Sequence, residues 1–199
     1  MERDVLLHVR NKLAEAPIHS SPYSYFYIEN IFPKEFYQEL LSNLPDTSYF
    51  QSLDQTGKVK PGAYADRSVL LLEEHELEQL PFCHLLFWSK FTAAIKSEEW
   101  RTMLLEKFEP QIKERFGAHY EHVTFSSVAE LIRDRTNYSI GPHTDHPIRV
   151  LTLLFYFPSS NDQAHLGTSI YQPLDSSFEC EGFAHHSLEK FKKIVHCVF

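Results

Sequence analysis

The chain has 199 residues and a formal net charge of -8, with 43% hydrophobic and 23% charged residues. A chain of that length can bury about 70% of its unfolded surface, so one domain without covalent staples is expected. The acidic balance leaves no basic surplus to neutralise phosphates, which argues against nucleic-acid and anionic-membrane partners. No stretch approaches the roughly 20 apolar residues of a membrane span.

Residues 1–16 carry scattered charges and no apolar run of the kind a leader needs. The three cysteines, Cys83, Cys180 and Cys197, are odd in number and form no CxxC pair, so a reducing, cytoplasmic setting is expected. Within residues 4–16, Val5, Val9 and Leu13 recur every fourth position, the spacing of an amphipathic helix. Residues 23–32 (YSYFYIENIF) are aromatic and β-prone, predicting a strand that stops at Pro33. Pro33 then opens a predicted helix over 34–44, with Phe36, Leu40, Leu41 and Leu44 as its apolar stripe. Gly57, Pro61 and Gly62 mark a loop over 52–64. Further helices are predicted over 84–96 and 98–116, the second kinked near Pro110.

The period changes near residue 122, where 122–132 favours extended structure. Residues 150–157 (VLTLLFYF) predict a strand ending at Pro158, and 167–172 predict a short strand before Pro173. Residues 188–199 read as helix-like, running into the apolar IVHCVF. Helices first and strands afterwards predict an α+β fold, with a mostly helical region over 1–121 and the sheet core over 122–199 of one domain.

The segment that carries chemistry is Arg135 to Pro147, RTNYSIGPHTDHP. His143 and Asp145 stand two apart, and in extended backbone such residues share a face, so imidazole and carboxylate can grip one ion. Gly141 and Pro142 would set the turn that aims them. His146 follows directly and faces the other way. On the next segment, Thr152 and Tyr156 share a face with Val150 and Leu154, and buried hydroxyls there require partners such as a bound carboxylate. Tyr138 reads either as a pocket residue or as plain packing. Arg133, Asp134 and Arg135 read as a solvated or salt-bridged run.

These segments (GPHTD, then RVLTLLFYFP, then LGTSIYQP, with YFYIENIFPKEFYQELLSNLP near the amino terminus) resemble the Fe(II)- and 2-oxoglutarate-dependent oxygenases of the prolyl-4-hydroxylase-like superfamily. The resemblance implies N-terminal helices packed on a double-stranded β-helix, or jelly roll. It implies an Fe(II) site with His143 and Asp145 as the first two of three ligands. It implies 2-oxoglutarate as co-substrate, bound with help from Thr152, Tyr156 and Tyr138, with ascorbate as an accessory reductant. The substrate class would be a small molecule, a sugar or a peptide side chain. Two imidazoles and one carboxylate on one face of Fe(II) leave positions open for the 2-oxoacid and O2.

The family's third ligand is a distal His, followed by a basic residue that pairs the far carboxylate of 2-oxoglutarate. Of the histidines left, His185 and His186 read as loop residues, His165 as a rim residue, and His196 as an edge or core residue between Val195 and Cys197. The chain ends at Phe199, within an apolar run, so its last strands and third ligand are expected to be lacking. Two other functions compete with the oxygenase. One is a jelly-roll module that binds a ligand without turnover. The other is a zinc hydrolase on the HTDH cluster, which lacks a helical pair of histidines.

Overall fold

The computed structural model describes residues 1–135, 138–180 and 182–197. Thr136 and Asn137 of the chemistry-bearing segment, and Val198 and Phe199 of the terminal run, lie outside the described residues. The fold is α+β, with small antiparallel sheets. It divides into two compact units, one of residues 1–14 and 30–138, the other of residues 15–29 and 139–199.

The first unit is built around aromatic side chains. Helix α1 (Arg3–Glu15) buries Val9 and Leu13, as its four-residue spacing requires. Pro33 caps α2 (Lys34–Ser42), its fixed φ suiting the helix entry, and Phe36 and Leu40 turn inward. Helix α3 (Glu74–Leu77) is short; α4 (Phe82–Ile95) places Trp88 and Phe91 against Phe36 and Phe87, with ring centroids 5.4–6.4 Å apart. Trp88 Nε1 donates to the Asn43 carbonyl at 2.6 Å and His84 Nδ1 donates to the same oxygen at 2.8 Å. That oxygen belongs to the end of α2, where helix carbonyls have no partner within the helix.

The predicted helix over 98–116 forms as two helices, α5 (Glu98–Lys107) and α6 (Glu109–Phe116), meeting at Phe108. Pro110 sits in the first turn of α6, where its missing N–H costs nothing, and so starts a helix instead of kinking one. Ser97 Oγ accepts from Trp100 N at 3.2 Å and caps α5.

Residues 1–121 are not helical throughout. Strands β1 (Gln51–Ser52) and β2 (Arg67–Leu71) lie there, and β3 (Glu130–Asp134), from the region expected to open the C-terminal core, completes their sheet in the order β1-β2-β3. The ladder sets Val69 opposite Ile132 and Leu70 opposite Leu131, and Val69, Leu70 and Leu131 are buried. At its end Arg67 forks onto Asp134 with two bonds of 2.7 Å.

The second unit holds two strand pairs. Strand β4 (His143–Thr144) pairs with β6 (Ala184–His185), and β5 (Thr168–Pro173) pairs with β7 (Phe191–Cys197), both antiparallel. Ile170 and Pro142 are buried there among the described residues, while Ile148, Leu154, Leu174 and Phe183 are exposed.

Three expectations fail here. Of the helix expected over 188–199, the described residues 188–197 form none: a 3-10 turn at Leu188–Lys190 leads into β7, because pairing with β5 and the β-branched Ile194-Val195 step outweigh the helical spacing. Residues 23–32 make one isolated bridge, His19 to Tyr25, instead of a strand. Residues 150–157 join no ladder among the described residues. β propensity reflects fit to a neighbouring strand, and an apolar run that meets no strand edge remains irregular.

Candidate metal centre

His143 opens β4, opposite His185 on β6, and Thr144 lies opposite Ala184. The alternation expected of extended backbone is visible in the partners. Thr144 Oγ1 donates to Gly182 O at 2.5 Å and accepts from Ala184 N at 3.2 Å, which fixes its side chain on the β6 side. One further rung ties the strands, from His186 N to Pro142 O at 2.9 Å.

His143 Nδ1 lies 2.9 Å from Gly141 O. A carbonyl only accepts, so Nδ1 carries the proton and Nε2 keeps its lone pair in the neutral ring. That is the tautomer of a histidine that ligates a metal through Nε2. Gly141 contributes through this carbonyl; its φ lies outside the left-handed region, and an added Cβ would meet only ordinary contact at 3.7 Å.

Asp145 follows the strand and is exposed. Thr152 Oγ1 donates to its Oδ2 at 3.0 Å, and Arg149 Nη1 stands 3.7 Å from the same oxygen. Between them residues 146–149 form a turn, with Arg149 N bonded to His146 O at 2.9 Å and Ile148 N to His146 Nδ1 at 3.2 Å. His146 therefore serves its own turn, which lies beyond the end of β4. Tyr23, on the 15–29 segment of the same unit, also senses Asp145. Burial pushes its phenol above the usual range, and electrostatic coupling to the acidic groups of Cys197, Tyr25 and Asp145 adds to the shift.

Thr152 and Tyr156 do not share one partner. The Tyr156 hydroxyl bonds the Thr168 hydroxyl at the start of β5. Tyr138 belongs to the first unit, where the Arg67 guanidinium lies 3.9 Å over its ring and its hydroxyl is buried without a hydrogen-bond partner among the described residues.

The remaining histidines have distinct settings. His185 is not a loop residue; it lies on β6, its ring stacked on His143 with centroids 5.6 Å apart. His186 is wedged between Phe178 and Phe191, with Nε2 buried and unbonded among the described residues. His196 Nε2 donates to His165 O at 3.2 Å, so its Nδ1 accepts the Ser169 hydroxyl at 2.9 Å. His165 Nδ1 donates to Asp162 O at 2.8 Å. The His143–His185 stack and the His196–Ser169 bond are cross-strand pairings, and sequence spacing carries no signal for either until the register is known.

His143 Nε2 and one Asp145 oxygen each keep a lone pair outside the bonds described above. Among the described residues no group of three His, Cys, Asp or Glu stands together in a way that could hold a metal, so a three-ligand set is not completed by them. Among the described residues no helix is long and apolar enough to cross a membrane. Comparison with protein families, curated proteins and solved structures finds no match to this chain.

Proposed function

We propose that the chain acts as an Fe(II)- and 2-oxoglutarate-dependent dioxygenase, hydroxylating a small molecule, sugar or peptide side chain while 2-oxoglutarate becomes succinate and CO2. The observation that supports this reading best is the pair of prepared donors. His143 is set in the Nδ1–H tautomer by Gly141 O, and Asp145 is held at Oδ2, so each retains one atom for an ion. Bound Fe(II) would supply the activation of O2 against the 2-oxoacid. His143 and Asp145 would hold the ion. The Tyr156 hydroxyl, bonded to Thr168 at the start of β5, would contribute to the co-substrate site. A jelly roll belongs to the same proposal, and the antiparallel pairs β4–β6 and β5–β7 are the kind of pairing from which one is built.

One observation favours a second reading, a binding module without turnover: no third ligand joins the pair among the described residues. Succinate formation separates the two. The protein is loaded with Fe(II) and 2-oxoglutarate without oxygen and then exposed to O2. Succinate that disappears in His143→Ala and Asp145→Ala supports the dioxygenase. Retained 2-oxoglutarate binding without succinate supports the module.

A further inference from the structure

We propose that Ser169 and His196 form a nucleophile–base pair that takes the acyl group of a small carboxylic ester onto the Ser169 oxygen and passes it to water. The pair involves neither His143 nor Asp145.

The protonation state follows from the bonds. His196 Nε2 lies 3.2 Å from His165 O, and a carbonyl only accepts, so Nε2 carries the ring proton. Nδ1 is then the basic nitrogen, and the Ser169 hydroxyl, 2.9 Å away, donates to it. A hydroxyl, a base within hydrogen-bond reach and a third group that orients the base are the parts of an activated nucleophile. Here the third group is a backbone carbonyl, which fixes the tautomer and accepts from the imidazolium once it forms. His165 is itself anchored, since its Nδ1 donates to Asp162 O at 2.8 Å within the 3-10 turn Asn161–Leu166.

Strands hold both reacting groups. Ser169 stands directly opposite His196 in the β5–β7 ladder, and side chains paired in that way share a face. Beside them the register shifts: Ile170 pairs with Val195 and Tyr171 with Lys193, so Ile194 is an extra residue in β7. Bulges of this kind re-aim side chains next to active sites. Ser169 and His196 are both half-buried, open to a small substrate and partly shielded from water. Tyr171, two residues along β5, shares the face of Ser169 and offers an aromatic surface to the acyl group. Thr168, which bonds Tyr156, lies on the opposite face.

The reaction balances with the ester and water alone. Ser169 Oγ bonds to the carbonyl carbon as its proton moves to His196 Nδ1. That proton passes to the departing alkoxide as the carbon–oxygen bond breaks, leaving an acyl-serine. Water then attacks the acyl carbon and gives a proton to Nδ1; that proton returns to Ser169 Oγ as the carboxylic acid leaves.

The first probe is diisopropyl fluorophosphate, whose phosphorus bonds to a reactive serine oxygen as fluoride leaves. Labelling is followed serine by serine, by peptide mass spectrometry of the intact protein treated for increasing times. Ser177 is the internal comparison, because it is exposed and its hydroxyl bonds the Asp175 carboxylate and no imidazole. Ser169 is expected to react at least about 100-fold faster than Ser177, the low end for general-base assistance. In His196→Asn, checked for fold by circular dichroism, Ser169 should fall to the rate of Ser177. The second probe, p-nitrophenyl acetate, should leave acetyl-Ser169 in acid-quenched wild type and none in His196→Asn. Equal labelling of Ser169 and Ser177 in wild type would overturn the inference, and this comparison needs no variant to fold. Undiminished labelling of Ser169 in folded His196→Asn, or acetyl groups on other residues only, would overturn it as well.

Discussion

The Asn43 carbonyl, at the end of α2, takes two donors from α4, and removing both should cost more than the sum of the single losses. Trp88 is 0% exposed and gives one of these bonds at 2.6 Å; His84 gives the other at 2.8 Å. Trp88→Phe loses a net hydrogen bond of about 1 kcal/mol. It also leaves a void of roughly 40 Å³, which at about 24 cal/mol per Å³ adds about 1 kcal/mol. His84 still serves the carbonyl in that variant, so the loss should stop near 2 kcal/mol. His84→Ala alone should lose about 0.5–1 kcal/mol, because Trp88 remains. In the double variant the carbonyl has neither donor, and leaving a covered acceptor unpaired costs a further 1–2 kcal/mol or so. Urea unfolding followed by far-UV circular dichroism reports this unit, which contains α2 to α6. The expected coupling is about 1 kcal/mol or more. Losses that add to within about 0.3 kcal/mol would mean that water reaches the carbonyl and that the shared acceptor is not what joins α2 to α4.

Ser97→Ala should lower stability by about 1 kcal/mol by removing the cap of α5, and Ser97→Asp should restore most of it; equal losses in both would refute the cap. Hydrogen bonds from the Ser48 N–H and hydroxyl hold the Asp46 carboxyl below the usual carboxylate range, and the Ser177 hydroxyl and N–H do the same for Asp175. A lowered folded pKa means that these turns gain stability above the ordinary carboxylate pKa and lose it as pH falls through the lowered value. Carboxyl carbon shifts followed by NMR should therefore titrate below those of unfolded peptides, and midpoints at or above the peptide value would refute the bonds. Cys83 is exposed, whereas burial pushes the Cys197 thiol up, so iodoacetamide near neutral pH should modify Cys83 about tenfold faster. Equal rates by mass spectrometry would contradict that setting.

Helices α1, α2 and α4 were legible because their signals are local: the spacing of Val5, Val9 and Leu13, and Pro33, act within one or two turns of their own positions, whereas Pro110 signalled a kink and instead starts α6. Strand β5 was legible for the same reason, as a β-prone run stopped by Pro173. Strand β7 was not, because Lys192 to Cys197 fits either period until β5 lies beside it. Residues 150–157 show the converse: strong propensity and no ladder among the described residues. At the candidate site the two-residue spacing of His143 and Asp145 was readable, since it needs only an extended backbone. The bond from Thr152 to Asp145 was not, because it depends on the 146–149 turn. The His143–His185 stack was not either, because it depends on strand register.

The account rests on His143 and Asp145 sharing one divalent ion. NMR spectra recorded while Mn(II) is added below one equivalent test this directly, since a paramagnetic ion broadens the nuclei nearest to it. The account predicts that the His143 ring and the Asp145 carboxyl carbon broaden first and together, and that His143→Ala abolishes the effect at Asp145. Broadening that begins at other carboxylates, or that reaches Asp145 undiminished in His143→Ala, would contradict it.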